Sequence, residues 1–313
     1  MPKLSDIVPA LAAAAIAAVG LCSCSSGDAP RPDRSEYAYT LSQKKLLDII
    51  EEQDRFFERI RGKSRMSRSD ALSLKSKIDA LWAEYLAEFP DDVDALVLNG
   101  KFLRATGDDE LSYKQFSHAD ALSPNLPVVK QQLANYEAEH GLAKHAYDNI
   151  RAAVSLAPEN SVYRLQLAQL ILFFREELIA KHGFSQAALD AELSQSYARA
   201  AELEPENGEI RKKYALSFYD VGRADWNEAL RQWDIVLEKF SPLNIDKQTA
   251  KANRARVLVE LGRDAEAREV LKTIDAPALQ ADKRKLIGII DSAKNGAEQT
   301  KTESDFQWTF FRK

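Results

Sequence analysis

Apolar residues recur every three to four positions through most of residues 41–294, which predicts amphipathic helices. The first two such stripes fall in residues 41–89, one on each side of Gly62. Prolines and glycines divide the rest of the chain at regular intervals. Because proline ends a helix and glycine lets the backbone reverse, this punctuation predicts successive helix pairs.

The punctuation has a fixed period. Pro90, Pro124 and Pro158 are spaced 34 residues apart, and so are Gly107 and Gly141. A large apolar residue and an alanine precede the later two prolines in the same register: Phe116 with Ala119, and Ile150 with Ala153. Small residues at such places allow paired helices to approach closely, and we expect Gly100, Ala134 and Ala146 to act in this way.

A 34-residue period with these residues resembles the tetratricopeptide repeat (TPR). The resemblance covers residues 90–275 and is strongest from Val93 to Pro158. It implies an all-α fold, an α-solenoid of stacked antiparallel helix pairs in a TPR-like superhelix. Stacking is needed because one pair cannot bury its own apolar face.

The third repeat departs from the period, since Pro205 follows Pro158 by 47 residues. The surplus lies between Phe173 and Ser185, where we expect longer helices with a protruding corner. The tripeptide Pro-Glu-Asn ends at both Asn160 and Asn207. An asparagine at such a joint predicts an N-cap for the helix that follows.

In the family that this pattern resembles, the first helix of each pair lines a concave groove. Carried over residue by residue, the resemblance implies a groove that binds a protein or an extended peptide, and its polar, partly basic lining could hold an extended or acidic peptide. It does not reproduce the family's carboxylate clamp. The implied polar lining is Lys101, Arg104, Gln131, Asn135, Gln169, Lys212, Tyr219 and Arg256, beside apolar Val97, Leu172 and Leu216.

Composition excludes several classes of site. The net charge of −5 argues against a dedicated nucleic-acid binder. Cys22 and Cys24 are the two cysteines of the chain, so its body can contain neither a disulfide nor a thiolate metal site. His140 and His145 are not part of an HExxH pattern, and phosphate-loop and nucleophile-elbow motifs are absent. We therefore expect neither an enzyme, nor a cofactor, nor a metal site.

Residues 1–23 are typical of an export signal, with an apolar run of 15 residues from Ile7 to Leu21. The end of this run, Leu21-Cys22-Ser23-Cys24, resembles the lipobox of bacterial lipoproteins. The resemblance implies lipidation of Cys24, with Cys22 a poorer match because bulky Leu21 precedes it. The alternatives are plain secretory cleavage and an uncleaved anchor. Residues 24–40 are polar and predict a flexible tether.

The remaining segments give further expectations. Basic residues surround the turn of the first helix pair, either as a solvated helix end or as a contact with anionic lipid: Arg55, Arg59, Arg61, Lys63, Arg65 and Arg68. Residues 276–294 predict a capping helix. In the polar tail 295–313, the aromatic segment Phe306–Lys313 either packs on the repeats or docks on a partner.

Together these patterns predict a non-enzymatic interaction scaffold, anchored by lipid in a bacterial cell envelope, at the outer membrane rather than the inner one. Two other functions remain open. One is an assembly or pilot lipoprotein for an outer-membrane machine, and the other is a carbohydrate- or nutrient-binding lipoprotein. Nothing in the sequence predicts the oligomeric state.

Overall fold

The computed structural model describes residues 40–61 and 67–294. In these ranges it contains α-helices, one short 3-10 helix and no strand. They form two compact units that divide between Leu156 and Ala157, and each unit is described by itself.

The first unit contains six helices, and helices that follow each other in the chain pack against each other. The result is a stack of antiparallel helix pairs, which confirms the predicted fold class. Its largest fully buried side chains include Trp82, Phe102 and Phe116. The helices are α1 (Leu41–Arg61), α2 (Arg68–Glu88), α3 (Val93–Thr106), α4 (Asp109–Leu122), α5 (Pro127–Glu139) and α6 (Ala143–Leu156).

The second unit continues the same construction with seven helices. Its first pair is long, with 22 residues in α7 and 18 in α8, which confirms the longer helices predicted for the third repeat. The last helix packs on both members of the preceding pair. The helices are α7 (Ser161–His182), α8 (Gln186–Leu203), α9 (Gly208–Ser217), α10 (Trp226–Lys239), α11 (Asn244–Glu260), α12 (Asp264–Lys272) and α13 (Gln280–Lys294), with the 3-10 helix Pro277–Leu279 before α13.

The predicted helix starts are confirmed at both asparagines. Asn160 Oδ1 accepts hydrogen bonds from the backbone N–H groups of Val162 and Tyr163, at 3.0 and 3.2 Å. Asn207 does the same for the first turn of α9, at 3.2 and 3.3 Å. Each side chain therefore satisfies N–H groups that have no partner inside the helix.

The turns inside the first two full repeats depend on glycine. Gly107 has φ +88° and Gly141 has φ +72°, both in the left-handed region that side chains with a Cβ rarely adopt. Gly107 also caps α3, because its N–H donates to the Arg104 carbonyl at 3.2 Å. The periodic glycines thus reverse the chain between the two helices of a pair, as predicted.

Close approach of the paired helices depends on Gly100. A Cβ built on Gly100 would lie 2.9 Å from Cζ of Phe116, whose ring is 1% exposed. The Phe116 ring therefore occupies the space that a side chain at residue 100 would need. This contact confirms the expected role of small residues between paired helices.

The predicted signal, its lipidation site Cys24 and the tail 295–313 lie outside the described residues, and so does the tether apart from Thr40. The segment boundaries proposed from the sequence stay predictions. None of the helices in the described ranges combines the length and the apolar character needed to cross a membrane.

Replacement of Gly100 by alanine tests the close approach. We expect Gly100→Ala to lower the free energy of unfolding by about 1–2 kcal/mol, because overpacking against the fixed Phe116 ring outweighs the gain in helix propensity. The measurement is chemical denaturation followed by circular dichroism. Gly288 in α13 is the matched control, since nothing lies within 4 Å of its Cβ position. Gly288→Ala should stabilise by about 0.5–1 kcal/mol, and equal effects at the two glycines would contradict the packing account.

Candidate functional site

The polar residues predicted to line the groove divide between the two units. In the first unit, Lys101 and Arg104 lie on α3, and Gln131 and Asn135 lie on α5. Gln131 and Asn135 are 5% and 3% exposed, so they belong to the packed interior of this unit. Gln132 Nε2 donates to Gln131 Oε1 at 2.7 Å. These two predicted residues therefore present little surface to a partner.

Arg104 is held by carboxylates on the two helices that follow its own. Its guanidinium forms an ion pair with Asp109 at 2.8 Å and another with Glu139. Burial by itself would lower the pKa of Arg104, but the hydrogen bond to Glu139 and the neighbouring charges raise it. The charge of Arg104 is thus neutralised within the fold and ties α3 to α4 and α5.

Lys101, one turn before Arg104, has a different environment. It is half-buried, and it makes no ion pair or side-chain hydrogen bond with any residue that the structure describes. Burial lowers the pKa of the Lys101 ammonium, because the charged form loses part of its hydration. The first unit therefore presents a partly desolvated cation that lacks a carboxylate.

In the second unit, Tyr219 and Arg256 form one cluster. Tyr219 lies beyond Ser217, where α9 ends, although the resemblance placed it on the first helix of its pair. Its O–H donates to the carbonyl of Asn253 at 3.0 Å, and the Arg256 guanidinium lies 3.9 Å from the ring centroid. Burial raises the pKa of Tyr219 and lowers the pKa of Arg256. This cluster joins the turn after α9 to α11.

Gln169 and Lys212 remain more accessible. Gln169 on α7 is half-buried and has no side-chain hydrogen bond within the described residues. Lys212 on α9 lies 3.5 Å from Glu209, a long contact. It also lines an open depression of about 800 Å³ between the loops that precede α9 and α11.

The next residue, Lys213, was not identified from the sequence. It is half-buried, and it makes no ion pair with any carboxylate among the described residues. Burial lowers the pKa of Lys213, and Glu209 offsets that shift only in part. Lys213 is one position outside the register that the family resemblance uses, so the resemblance could not identify it.

A buried carboxylate was also missed. Glu137 is 3% exposed, and its two carboxylate oxygens accept from Asn149 Nδ2 at 3.1 and 2.8 Å. Burial raises the pKa of Glu137. Its burial could have been predicted from spacing, because Glu137 is three residues after buried Ala134 and lies on the same face of the helix.

An aromatic stack lies beside Glu137. The rings of Tyr113 and Tyr136 are stacked at 4.2 Å between centroids, and those of Tyr136 and His140 at 3.9 Å. His140 belongs to no metal-ligand motif in the sequence, and its spacing gave no sign of this stack. Among the described residues, no group of three or more histidine, cysteine, aspartate or glutamate side chains is placed to hold a metal ion.

The sequence matches no protein-family model and no curated protein. Its structural neighbours include TPR proteins. YrrB, described as a TPR protein with an unusual peptide-binding site, is 16% identical over 68% of this chain and 97% of its own, with a TM-score of 0.49. A TPR protein from Parabacteroides merdae is 14% identical over 80% and 88%, with a TM-score of 0.47. MamA is 12% identical over 64% and 98%, with a TM-score of 0.45.

The environment of Lys101 makes a testable prediction about stability. Its folded-state pKa is below the ordinary value of 10.5, so the unfolded chain binds protons more tightly and the charged lysine opposes folding at neutral pH. We expect Lys101→Met to raise the free energy of unfolding at pH 7 by more than about 0.5 kcal/mol, the usual limit for a substitution on the surface. The gain should shrink as the pH rises towards 10.5. The measurement is urea denaturation across this pH range.

Lys44 provides the control for this prediction, because it is exposed and has no carboxylate partner within the described residues. Lys44→Met should leave the stability unchanged within about 0.5 kcal/mol. A loss of stability in Lys101→Met, or the same effect from both substitutions, would show that burial of the Lys101 charge does not lower the free energy of unfolding.

Proposed function

We propose that this chain is a non-enzymatic interaction scaffold that holds an acidic segment of a protein or an extended peptide against the first helices of its pairs. The observation that carries the proposal is the pair of half-buried lysines, Lys101 on α3 and Lys213 on α9. Lys101 lies in the first unit and Lys213 in the second, and neither forms an ion pair with a carboxylate among the described residues.

The physical reason is the cost of burying an unpaired charge. A partly desolvated ammonium gains from a carboxylate that also excludes water, and a charge-assisted hydrogen bond is about twice as strong as a neutral one. The half-buried amide of Gln169 can add a hydrogen bond to the backbone of an extended partner. Arg104 contributes little to such binding because Asp109 and Glu139 already neutralise it.

Peptide binding tests this proposal. We expect fluorescently labelled decapeptides rich in aspartate and glutamate to bind the protein, and their lysine-rich counterparts not to bind. Lys101→Glu combined with Lys213→Glu should weaken binding at least about tenfold, which is the scale of one lost charge-assisted hydrogen bond. Fluorescence anisotropy measures the affinity.

Lys114 and Lys247 provide the matched control, since both are exposed and make no ion pair within the described residues. Their replacement by glutamate changes the net charge equally and should leave the affinity within about twofold. Binding of oligosaccharides but of no peptide would instead favour the nutrient-binding alternative. The Tyr219 ring offers that alternative little support, since Arg256 covers one of its faces.

We further propose that the scaffold is exported and held in a bacterial envelope by lipid on Cys24. The support is the sequence Leu21-Cys22-Ser23-Cys24 after an apolar run of 15 residues. Several acyl chains on one cysteine would give stable anchoring, because a single chain gives only marginal binding.

Mass spectrometry of the mature protein tests this anchor. We expect the first residue to be an acylated Cys24, and the Cys24→Ser variant to leave the membrane fraction. Cys22→Ser should remain anchored, because Cys22 is removed with the signal. An unmodified N-terminus upstream or downstream of Cys24 would contradict the proposal.

A further inference from the structure

The end of the first helix hairpin combines basic residues with exposed apolar ones, and the proposed scaffold function does not explain this combination. Helices α1 and α2 are antiparallel, since Lys45 pairs with Glu88 and Lys77 Nζ lies 3.3 Å from Glu52 Oε2. The last turn of α1 and the first turn of α2 therefore lie at the same end of the hairpin. Four described residues of these turns, together with Leu72 at the start of the next turn of α2, form what we name the hairpin tip: Arg59, Ile60, Arg61, Arg68 and Leu72.

Two large apolar side chains of the hairpin tip are exposed to solvent. Ile60 is 50% exposed and Leu72 is 56% exposed. Single exposed apolar residues are common on protein surfaces. Here, however, two of them come from different helices and lie near the same end of the hairpin, and Ile60 lies between Arg59 and Arg61 in the chain.

The arginines of the hairpin tip are not neutralised. Arg59, Arg61 and Arg68 are exposed and make no ion pair with any described carboxylate, and Arg61 Nε donates only to the Phe57 carbonyl at 3.3 Å. One turn earlier, Arg55 pairs with Glu51 and Glu52 at 3.0 and 2.9 Å.

The acidic neighbours of the hairpin tip do not cancel its charge. Glu58 and Asp70 flank it. From residue 58 to residue 70, however, the sequence has five basic residues against these two acidic ones, in a chain whose net charge is −5. Two of the five, Lys63 and Arg65, lie outside the described residues. The positive charge is therefore concentrated in this stretch of the chain, which also contains the exposed Ile60.

We propose that the hairpin tip docks on the surface of an anionic lipid bilayer. Guanidinium groups bind lipid phosphates with paired hydrogen bonds, and each basic residue near an anionic surface adds about 1 kcal/mol. Ile60 and Leu72 enter the boundary between headgroups and acyl chains. This contact goes beyond the proposed scaffold function and does not depend on lipid at Cys24.

Vesicle binding tests the hairpin tip in the full chain. Cys22→Ser and Cys24→Ser are present in every protein, so that acyl chains play no part and the apolar N-terminal run is common to all. Three variants are compared on this background. The first carries Arg59→Glu, Arg61→Glu and Arg68→Glu, the second carries Ile60→Ser and Leu72→Ser, and the control carries Lys44→Glu, Lys114→Glu and Lys247→Glu. Sedimentation with phosphatidylcholine vesicles, with and without phosphatidylglycerol, measures partitioning.

The proposal predicts which variants lose most binding to vesicles. Partitioning onto phosphatidylglycerol vesicles should fall about a hundredfold in the arginine variant and about tenfold in the serine variant. The control should change it about twofold at most, although its net charge changes as much as that of the arginine variant. Raised salt should weaken binding of the parent protein.

Three results would overturn the proposal. Equal losses in the arginine variant and the control would show a general charge effect. Equal binding to vesicles without phosphatidylglycerol would show that anionic lipid is not recognised. Binding to soluble poly-glutamate that requires the arginines, without binding to vesicles, would identify an acidic protein surface instead. Decapeptide binding to Lys101 and Lys213 is measured separately, so failure of either proposal can be distinguished from failure of the other.

Discussion

A helix pair of this chain has two apolar faces and can bury only one of them against itself, so the fold depends on stacking. Stacking requires the paired helices to approach closely, and small residues opposite aromatic rings make this possible. Gly100 faces Phe116 in the first unit, and in the second a Cβ on Gly208 would lie 2.8 Å from the Phe240 ring. The same device thus operates in both units.

Stacking also determines which polar residues remain available to bind a partner. Arg104 is held between Asp109 and Glu139, and Tyr219 and Arg256 hold each other. Arg175 and Asp190 add a similar link, an ion pair of 3.1 Å between α7 and α8. These groups stabilise contacts between helices, because each of them already has a partner inside its unit. Three half-buried polar side chains do not take part in such links: Lys101, Lys213 and Gln169. We expect a partner to interact with these three.

Much of the fold could be predicted because its signals are local. Proline ends a helix through its own ring, Gly107 and Gly141 reverse the chain through their own φ angles, and Asn160 caps the helix that begins beside it. The candidate site depends on contacts between distant residues. Arg104 meets Glu139 on a different helix, and Tyr219 leaves the first helix because α9 ends at Ser217. Neither fact follows from spacing. The groove residues other than Tyr219 could be placed on helices, but spacing could not show which of them already have partners inside the fold.

The central claim is that a partner lies against the first helices of the pairs. Site-specific photo-crosslinking tests it most directly, with a photoreactive residue at Lys101 or Gln169 on first helices and at Lys114 or Glu238, exposed on second helices. In the cells that make this protein, the account predicts crosslinks to the same polypeptide from both first-helix positions and none from the second-helix positions. Crosslinks of equal yield from second-helix positions, or none from Lys101 and Gln169, would contradict it.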